Sequence, residues 1–476
     1  MEEAVITIVN PPNPPNAVSN KDTMGGFGQL YASNAKHSMP PLDILYTTAL
    51  LRSKSIPVMI IDCLSLDWEL GGLIFHLQSQ KSKLVAIRTS TPTFNWDLRV
   101  AAIIKITLNA KIIMFGPHVS IFPMQTIQQP FIDAIVLGEP EMAFLSIVEL
   151  GFKDSKGVWY KEGDNIIQNN ASSPIDDLNE LPFPAWDMIS YKSFNGGGLM
   201  RNLKPFVTAL TSRGCPHGCT YCPYPVIQGR KLRVRSPENV VDELHWLVNS
   251  MGVKAVLFRD PEFALQRDRV MGICEAILKR DIRLAWRCET RMEDLDEKLV
   301  SIMAKAGCIG INTGVESADP HVLRNLKRKL VPFDQAKKVV KACNKNGVDS
   351  FCFFIIGLPG DTRQSVLKTI DYAVKLKPTF VQFTVATPYP GTELRNWAWE
   401  KGFIENETLS GITGYDAAMR NDCLAAEEIR TLQKLANEAW EMRWHKVVIR
   451  ILGNVYRSTS EVSRYFRFRM DIGRLS

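Results

Sequence analysis

Phe206-Val-Thr-Ala-Leu-Thr-Ser-Arg-Gly-Cys215-Pro-His-Gly-Cys219-Thr-Tyr-Cys222 is the stretch on which the reading of this chain turns. Its first part, Phe206–Thr211, is an apolar and β-branched run of the kind that forms a buried strand. Its second part spaces three cysteines with gaps of three and then two residues. One short loop at the end of a strand then wraps three thiolates around one metal centre, and thiolates suit zinc and iron–sulfur clusters. Structural zinc takes four ligands and usually a second Cys/His pair at a distance. None is obvious: His217 lies inside the loop, and Cys63, Cys274, Cys288, Cys308, Cys343, Cys352 and Cys423 are scattered singly in apolar surroundings, as core thiols are. Three cysteines on a four-iron cluster leave one iron open to a substrate, which suits catalysis better than electron carriage with four cysteines.

Downstream of the loop, strand and helix signals alternate to about Thr384. Strands are expected near Phe206–Thr211, Ala255–Phe258, Arg283–Trp286, Gly310–Gly314, Ser350–Ile356 and Phe380–Thr384, and helices begin near Pro237, Arg267, Leu295, Phe333 and Arg363. Six βα units are too few for a closed eight-fold barrel, so the pattern predicts a partial (βα)6 barrel over 206–400. Chemistry in such folds sits at the carboxyl ends of the strands.

Upstream, residues 1–151 alternate in the same way and predict a separate α/β, doubly wound, Rossmann-like domain. Its strands are Ala4–Val9, Val58–Ile61, Leu84–Ile87, Lys111–Phe115 and Asp133–Leu137; its helices lie near Leu42–Ser53, Trp96–Leu108 and Glu141–Gly151. Ligands of open α/β sheets bind at the strands' carboxyl ends. That singles out Ser90 and Thr91 within Thr89–Thr93, Gly116, Pro117 and His118 within Gly116–Ser120, and Gly138 and Glu139 within Gly138–Glu141. Residues 152–205, rich in Lys, Asp and Asn turns, read as a connector, and 401–476 as a C-terminal helical cap with a basic tail.

Composition fixes the broad class. With 476 residues, 45% hydrophobic and 22% charged, the chain is expected to form two or three globular domains. The apolar run Val5–Val9 is too short for a signal peptide, and no stretch of about 18 apolar residues offers a membrane span. A cytoplasmic protein is expected, its ten cysteines reduced, catalytic or metal-binding rather than a disulfide framework. The net charge of +7 is concentrated at the end: from Arg443 onward eight Lys/Arg face two Asp/Glu. The rest is near neutral, which argues against nucleic acid as a partner. Trp444, Val447, Val448, Ile451, Val455 and Tyr456 form an apolar stripe. The stripe reads first as a helix packed on the barrel, and second as a patch meeting a membrane surface or an amphiphilic substrate.

The cysteine loop resembles the signature of the radical S-adenosylmethionine superfamily, and the resemblance runs along the chain. Arg259-Asp-Pro-Glu-Phe263 looks like the family's acidic motif, Trp286-Arg-Cys-Glu-Thr-Arg291 and Gly314-Val-Glu316-Ser317 like stretches that meet S-adenosylmethionine, and Gly357-Leu-Pro-Gly360-Asp-Thr362 like the turn beside adenine, with Asp361 replacing the usual Glu. Pro388-Tyr-Pro-Gly-Thr-Glu393 matches another recurrent stretch. The resemblance implies a 4Fe-4S cluster on Cys215, Cys219 and Cys222, whose open iron binds the methionine moiety; an electron from the cluster then releases a 5′-deoxyadenosyl radical. It also implies catalytic help from Asp260, and cofactor contacts at Tyr221, Arg291, Glu316, Gly357 and Pro359.

Pro40-Pro-Leu-Asp43, the strand ending at Asp62, Gly116-Pro-His118 and Gly138-Glu-Pro-Glu141 resemble the cobalamin-binding domains fused to many of these enzymes, among them the anaerobic magnesium-protoporphyrin ester cyclase and hopanoid-pathway enzymes. The Asp-x-His-x-x-Gly loop that supplies a histidine to cobalt in other cobalamin proteins is absent; Asp319-Pro-His321 ends in Arg324 and lies in the barrel. The implied function is methyl transfer to an unactivated carbon of a small, hydrophobic or amphiphilic substrate. Cyclisation, oxidation or rearrangement is the alternative. An iron–sulfur electron carrier is a distant third. The implied partner is an external electron donor such as flavodoxin or ferredoxin.

Overall fold

The computed structural model describes residues 5–23, 26–32, 39–194, 196–405 and 414–452, with side chains up to 442 in the final helix. The chain divides into two compact units: Met1–His217, Pro223–Pro261 and Ala276–Trp286 form the first, and Gly218–Cys222, Glu262–Glu275 and Arg287–Ser476 the second. Among the described residues no helix is long and apolar enough to cross a membrane. The apolar stripe from Trp444 to Tyr456 lies outside the described side chains.

In the first unit the strands Ile6–Asn10 (β1), Ala17–Asn20 (β2), Gln29–Ala32 (β3), Val58–Asp62 (β4), Leu84–Arg88 (β5), Lys111–Phe115 (β6), Ala134–Val136 (β7), Val158–Glu162 (β8) and Asn165–Gln168 (β9) come first. Seven form one sheet in the order β4-β1-β5-β6-β7-β8-β9, and β2 and β3 pair as a separate antiparallel ribbon. β1, β4, β5, β6 and β7 are parallel. Their runs of Ile, Val and Met are buried on both faces, the usual state of a parallel strand covered by helices on each side. Alternate side chains divide between two cores. Val85 and Ile87 join Leu73, Leu77, Val100 and Ile104 from helices Leu70–Ser79 and Phe94–Leu108. Ala86 faces the other way, with Ile44, Leu51, Phe144 and Ile147 from helices Leu42–Ser53 and Pro140–Leu150. The fold is therefore doubly wound.

The sheet does not stop at residue 151. β8 and β9 extend it as an antiparallel hairpin on the edge of β7, inside the stretch expected to be a connector. Val158 and Tyr160 enter one core, Trp159 packs against the other, and Lys161 donates to the Gln129 carbonyl at 2.6 Å; the charged Lys161-Glu162 end hides the strand in the sequence.

The first unit also contains Phe206–Ala209 (β10), the short antiparallel pair Ser212–Arg213 (β11) and Arg233–Val234 (β12), and Ala255–Phe258 (β13), which runs parallel to β10. Ala285–Arg291 (β14) spans the boundary between the units, and the second unit holds Cys308–Glu316 (β15), Asp349–Ile356 (β16) and Phe380–Val385 (β17). The order in this sheet is β10-β13-β14-β15-β16-β17, so the six expected strands are present in chain order. β15, β16 and β17 are parallel, and the second unit packs helices Glu297–Lys305, Phe333–Lys345, Arg363–Leu376 and Ala426–Leu452 around them. All ten cysteines are described and none is in a disulfide; Cys423 is exposed, unlike the core thiol expected there.

Candidate active site

The cysteine loop leaves β11 through Gly214. Its φ is +84°, and a Cβ there would lie 2.2 Å from the Lys231 carbonyl oxygen, so only glycine fits. Gly214 N–H donates to Gln228 Oε1 at 3.2 Å and Cys215 N–H to the Gly229 carbonyl at 3.1 Å. Asp260 steadies the same corner from the end of β13. Its carboxylate is fully buried and accepts from Thr211 N–H at 2.7 Å, from the Thr211 hydroxyl, and from Ser212 Oγ at 3.0 Å. Its oxygens thus hold the strand end that launches the loop.

Cys219, Tyr221 and Cys222 belong to the second unit. Cys222 N–H donates to the Cys219 carbonyl at 3.2 Å, and Thr220 is tied on both sides, its N–H to the Leu326 carbonyl and its carbonyl to Leu394 N–H. Burial pushes the Cys219 thiol up, while the guanidinium groups of Arg328 and Arg291 pull it down. The Tyr221 hydroxyl donates to Glu316 Oε1 at 2.7 Å. Glu316 sits at a register shift between β15 and β16 with φ +65°, the left-handed region that a non-glycine residue enters only under constraint. Arg328 Nη1 donates to the same Oε1, and its Nη2 to the Gly314 carbonyl at 3.1 Å. Arg291 Nε pairs with Glu293 at 3.1 Å. Burial pushes the Glu316 carboxyl up, opposed by Arg328 and the Tyr221 hydroxyl.

Tyr221, Arg291 and Glu316, singled out in the sequence, thus share one charged network. Arg328 and Glu293, which complete it, carry no signal there: Leu326-Lys-Arg-Lys329 reads as a solvated basic run. Gly357 and Pro359 lie in the turn after β16. Gly357 has φ +87°, a Cβ there would come within 2.7 Å of Ile429 Cδ1, and its N–H donates to Asp361 Oδ2 at 3.1 Å. The Pro359 carbonyl accepts from Asn325 Nδ2 at 2.9 Å.

Within the first unit a cleft with about 910 Å³ free of protein atoms, partly open to solvent, lies over the carboxyl ends of the doubly wound sheet. Gly116, Pro117, Gly138 and Glu139 line it, and so do Glu141, Thr208 on β10 and Arg213 on β11. A Cβ at Gly116 (φ +118°) would fall 2.3 Å from the Thr89 carbonyl oxygen, whereas one at Gly138 would meet nothing within 4 Å. Arg213 donates to Glu141 Oε1 at 2.6 Å and stacks over Tyr46 at 5.3 Å; Arg233 grips Glu139 with both Nη atoms. Burial pushes Glu139 up, but Arg233 and Arg213 outweigh it and hold the carboxyl below its ordinary value. Glu141 Oε2 and Thr208 Oγ1 are buried with no hydrogen-bond partner among the described residues.

Ser90, Thr91 and His118, expected to touch a cofactor, do not line this cleft. His118 is fully buried between Phe94 and Phe122, with Nδ1 3.3 Å from Thr91 Oγ1, and burial pushes its pKa down to about 3. It braces the loop from beneath through Thr91. Ser90 Oγ lies 2.9 Å from Thr93 Oγ1, caught in the same local turn.

The donor sets fit two groups. Three cysteines spaced on one short loop suit a thiolate-bound cluster. A glycine-edged cleft with orphaned polar atoms on Glu141 and Thr208 suits a broad ligand rich in amide groups, and among the described residues lining it there is no histidine.

Comparison with known proteins then decides the family. The profile described as the Radical SAM superfamily matches residues 210–373. The chain is 31% identical over 418 residues to a protein named as an uncharacterized methyltransferase from Pyrococcus horikoshii, covering 86% of this chain and 89% of that one. This chain belongs to the radical SAM superfamily. As a radical SAM protein it is an enzyme. It is also similar to the anaerobic magnesium-protoporphyrin IX monomethyl ester cyclase of Rubrivivax gelatinosus, at 26% identity over 75% of this chain and 65% of the cyclase. Its fold matches the radical S-adenosylmethionine methyltransferase TsrM from Kitasatospora setae, solved with cobalamin and a [4Fe-4S] cluster, with a TM-score of 0.69 and 17% identity, covering 90% of this chain and 85% of that one.

Proposed function

We propose that this radical SAM enzyme is a cobalamin-dependent methyltransferase acting on an unactivated carbon of a small molecule. The observation that carries the reading is one of placement: the glycine-edged cleft of the doubly wound sheet is completed by Thr208 and Arg213, and Arg213 stands two residues before Cys215. A corrinoid in that cleft and a cluster on the loop would be served by one continuous strand-and-loop segment. The methyltransferase names of the Pyrococcus horikoshii and Kitasatospora setae proteins support the choice of reaction.

Cys215, Cys219 and Cys222 would hold the cluster, Asp260 fixes the strand end behind it, and Arg291 and Glu316 receive the carboxylate and ammonium of S-adenosylmethionine. The turn at Gly357 and Pro359 and the backbone at Tyr221 flank adenine. Gly116, Pro117, Gly138 and Glu139 meet the corrinoid, with Glu141 and Thr208 offered to its amide side chains. When bound, the cluster supplies the electron that cleaves the sulfonium and the corrinoid carries the methyl group. For each methyl transferred, one S-adenosylmethionine leaves as S-adenosylhomocysteine and a second as methionine and 5′-deoxyadenosine, so two electrons enter from a donor such as flavodoxin or ferredoxin. Ten cysteines with no disulfide suit a reducing compartment, and we place the enzyme in the cytoplasm.

The test is product balance. With its substrate, the enzyme should form S-adenosylhomocysteine and 5′-deoxyadenosine in about equal amounts, and a deuterated methyl donor should label the product. Turnover that yields 5′-deoxyadenosine with no S-adenosylhomocysteine and no label would exclude methyl transfer and favour cyclisation or oxidation.

A further inference from the structure

Arg328 and Glu293 lie in none of the motifs that carry the family resemblance, yet they join two residues that do. Arg291 Nε is 3.1 Å from Glu293, Arg328 Nη2 is 3.5 Å from both oxygens of Glu293, and Arg328 Nη1 donates to Glu316 Oε1. All four residues belong to the second unit. We infer that Glu293 and Arg328 are positioning residues that hold Arg291 and Glu316 apart as a separated cation and anion, ready for the two charged ends of one amino-acid moiety. This rests on reading Arg291 and Glu316 as the S-adenosylmethionine contacts.

The physical reason is competition. An arginine and a glutamate that serve a zwitterion would, left to themselves, pair with each other, and the ligand would have to break that pair. The interposed residues give each of them a partner other than the other: Glu293 for Arg291 and Arg328 for Glu316. At Glu316 the pattern is specific: Tyr221 and Arg328 both bond Oε1, and among the described residues Oε2 carries no bond. Arg328 also fixes the backbone that presents this carboxylate, because its Nη2 donates to the Gly314 carbonyl at the register shift. A residue at φ +65° holds that conformation only where its surroundings over-determine it, and Arg328 bonds both its side chain and the backbone two residues before it. Tyr221 then links the carboxylate to the cysteine loop, and Thr220 N–H ties that loop to Leu326, two residues from Arg328. The position of the ammonium contact is thereby set relative to the loop that holds the cluster.

The experiment uses the anaerobically reconstituted full chain and measures iron content, equilibrium binding of S-adenosylmethionine, and the change in the reduced cluster's paramagnetic spectrum when S-adenosylmethionine is added. Arg328→Met should keep its iron, bind S-adenosylmethionine about tenfold or more weakly, and raise KM far more than it lowers kcat. Arg328→Lys, which keeps the charge but not the fork, should recover part of the loss. Should Arg328→Met fail to fold, Glu293→Gln, at a half-buried position, and Tyr221→Phe carry the test, each with a smaller loss of affinity and a weaker spectral change. Wild-type affinity in the folded variants, beside a wild-type enzyme that binds S-adenosylmethionine, overturns the positioning role while the family reading stands. A wild-type enzyme whose cluster spectrum ignores S-adenosylmethionine overturns both.

Discussion

Asp361 shows what a single buried carboxyl does in this fold. It accepts from Gly357 N–H at 3.1 Å, Leu358 N–H at 3.2 Å and Ser365 Oγ at 2.6 Å, so it closes the turn after β16 and leads into helix Arg363–Leu376. Burial pushes its pKa from 3.8 up to about 6, against the pull of those three donors, and Asp319 adds to the rise. A folded value above the unfolded one means that Asp361 contributes stability fully present below pH 3.8 and lost as pH rises through about 6. The shift is worth on the order of 2–3 kcal/mol. Asp361→Asn cannot titrate, so its thermal midpoint relative to wild type should improve from pH 4.5 to 7.5 by that order of energy. A constant difference across the range would refute the raised value. Asp361 was legible in the Gly-x-Pro-Gly pattern, but Arg328 was not, because no spacing rule tells a buried arginine from two flanking lysines that face solvent. Arg287 is similar: fully buried, it reaches Asn312 and Asp349 from the strand stretch where apolar periodicity had already stopped.

Among the elements, helix Pro237–Asn249 was readable at its start, since Ser236-Pro237-Glu238 is a capping sequence with proline in the first turn. The Ser236 hydroxyl accepts from Asn239 N–H at 3.1 Å. Ser236→Ala should weaken this helix by about 1 kcal/mol, seen as roughly fivefold faster exchange of its protected amides with no change in those of helix Leu42–Ser53. Unaltered exchange would mean that tertiary packing alone sets the helix end. The parallel strands were readable for a related reason: burial on both faces leaves unbroken apolar runs such as Lys111–Phe115. The hairpin of β8 and β9 was not. It lies at the sheet edge, and Lys161, Glu162, Asn165 and Gln168 break its apolar residues into two short runs around a polar turn. β14 ran longer than expected, to Arg291, because its last residues are charged yet alternate toward a buried face. Charge hides a strand from periodicity wherever ion pairs replace apolar contacts, and Arg291, a proposed contact to S-adenosylmethionine, ends such a strand.

At the scale of the whole molecule, the two proposed cofactor sites should be separable, because the residues that line the cleft stop at Arg213 and resume at Tyr224, so none of the proposed iron ligands Cys215, Cys219 and Cys222 is among them. Replacing Cys215, Cys219 and Cys222 together with Ala removes every thiol of the loop but leaves Gly214 and its bond to Gln228, which fix the corner. That variant should hold no iron, yet bind hydroxocobalamin within about twofold of wild type. Gly116→Ala is the reciprocal change. Its Cβ would fall 2.3 Å from the Thr89 carbonyl oxygen at a φ of +118°, and a strained position of this kind costs about 1–3 kcal/mol. The backbone relieves that strain by moving the Gly116–Pro117 edge of the cleft, so hydroxocobalamin binding should fall by about tenfold or more while a full cluster is retained. Iron content and corrinoid absorbance, read on the same two purified variants, decide the matter without any turnover. Loss of corrinoid in the cysteine variant would mean that the loop itself builds the corrinoid site. Undiminished corrinoid in Gly116→Ala would place the ligand away from the carboxyl ends of the doubly wound sheet.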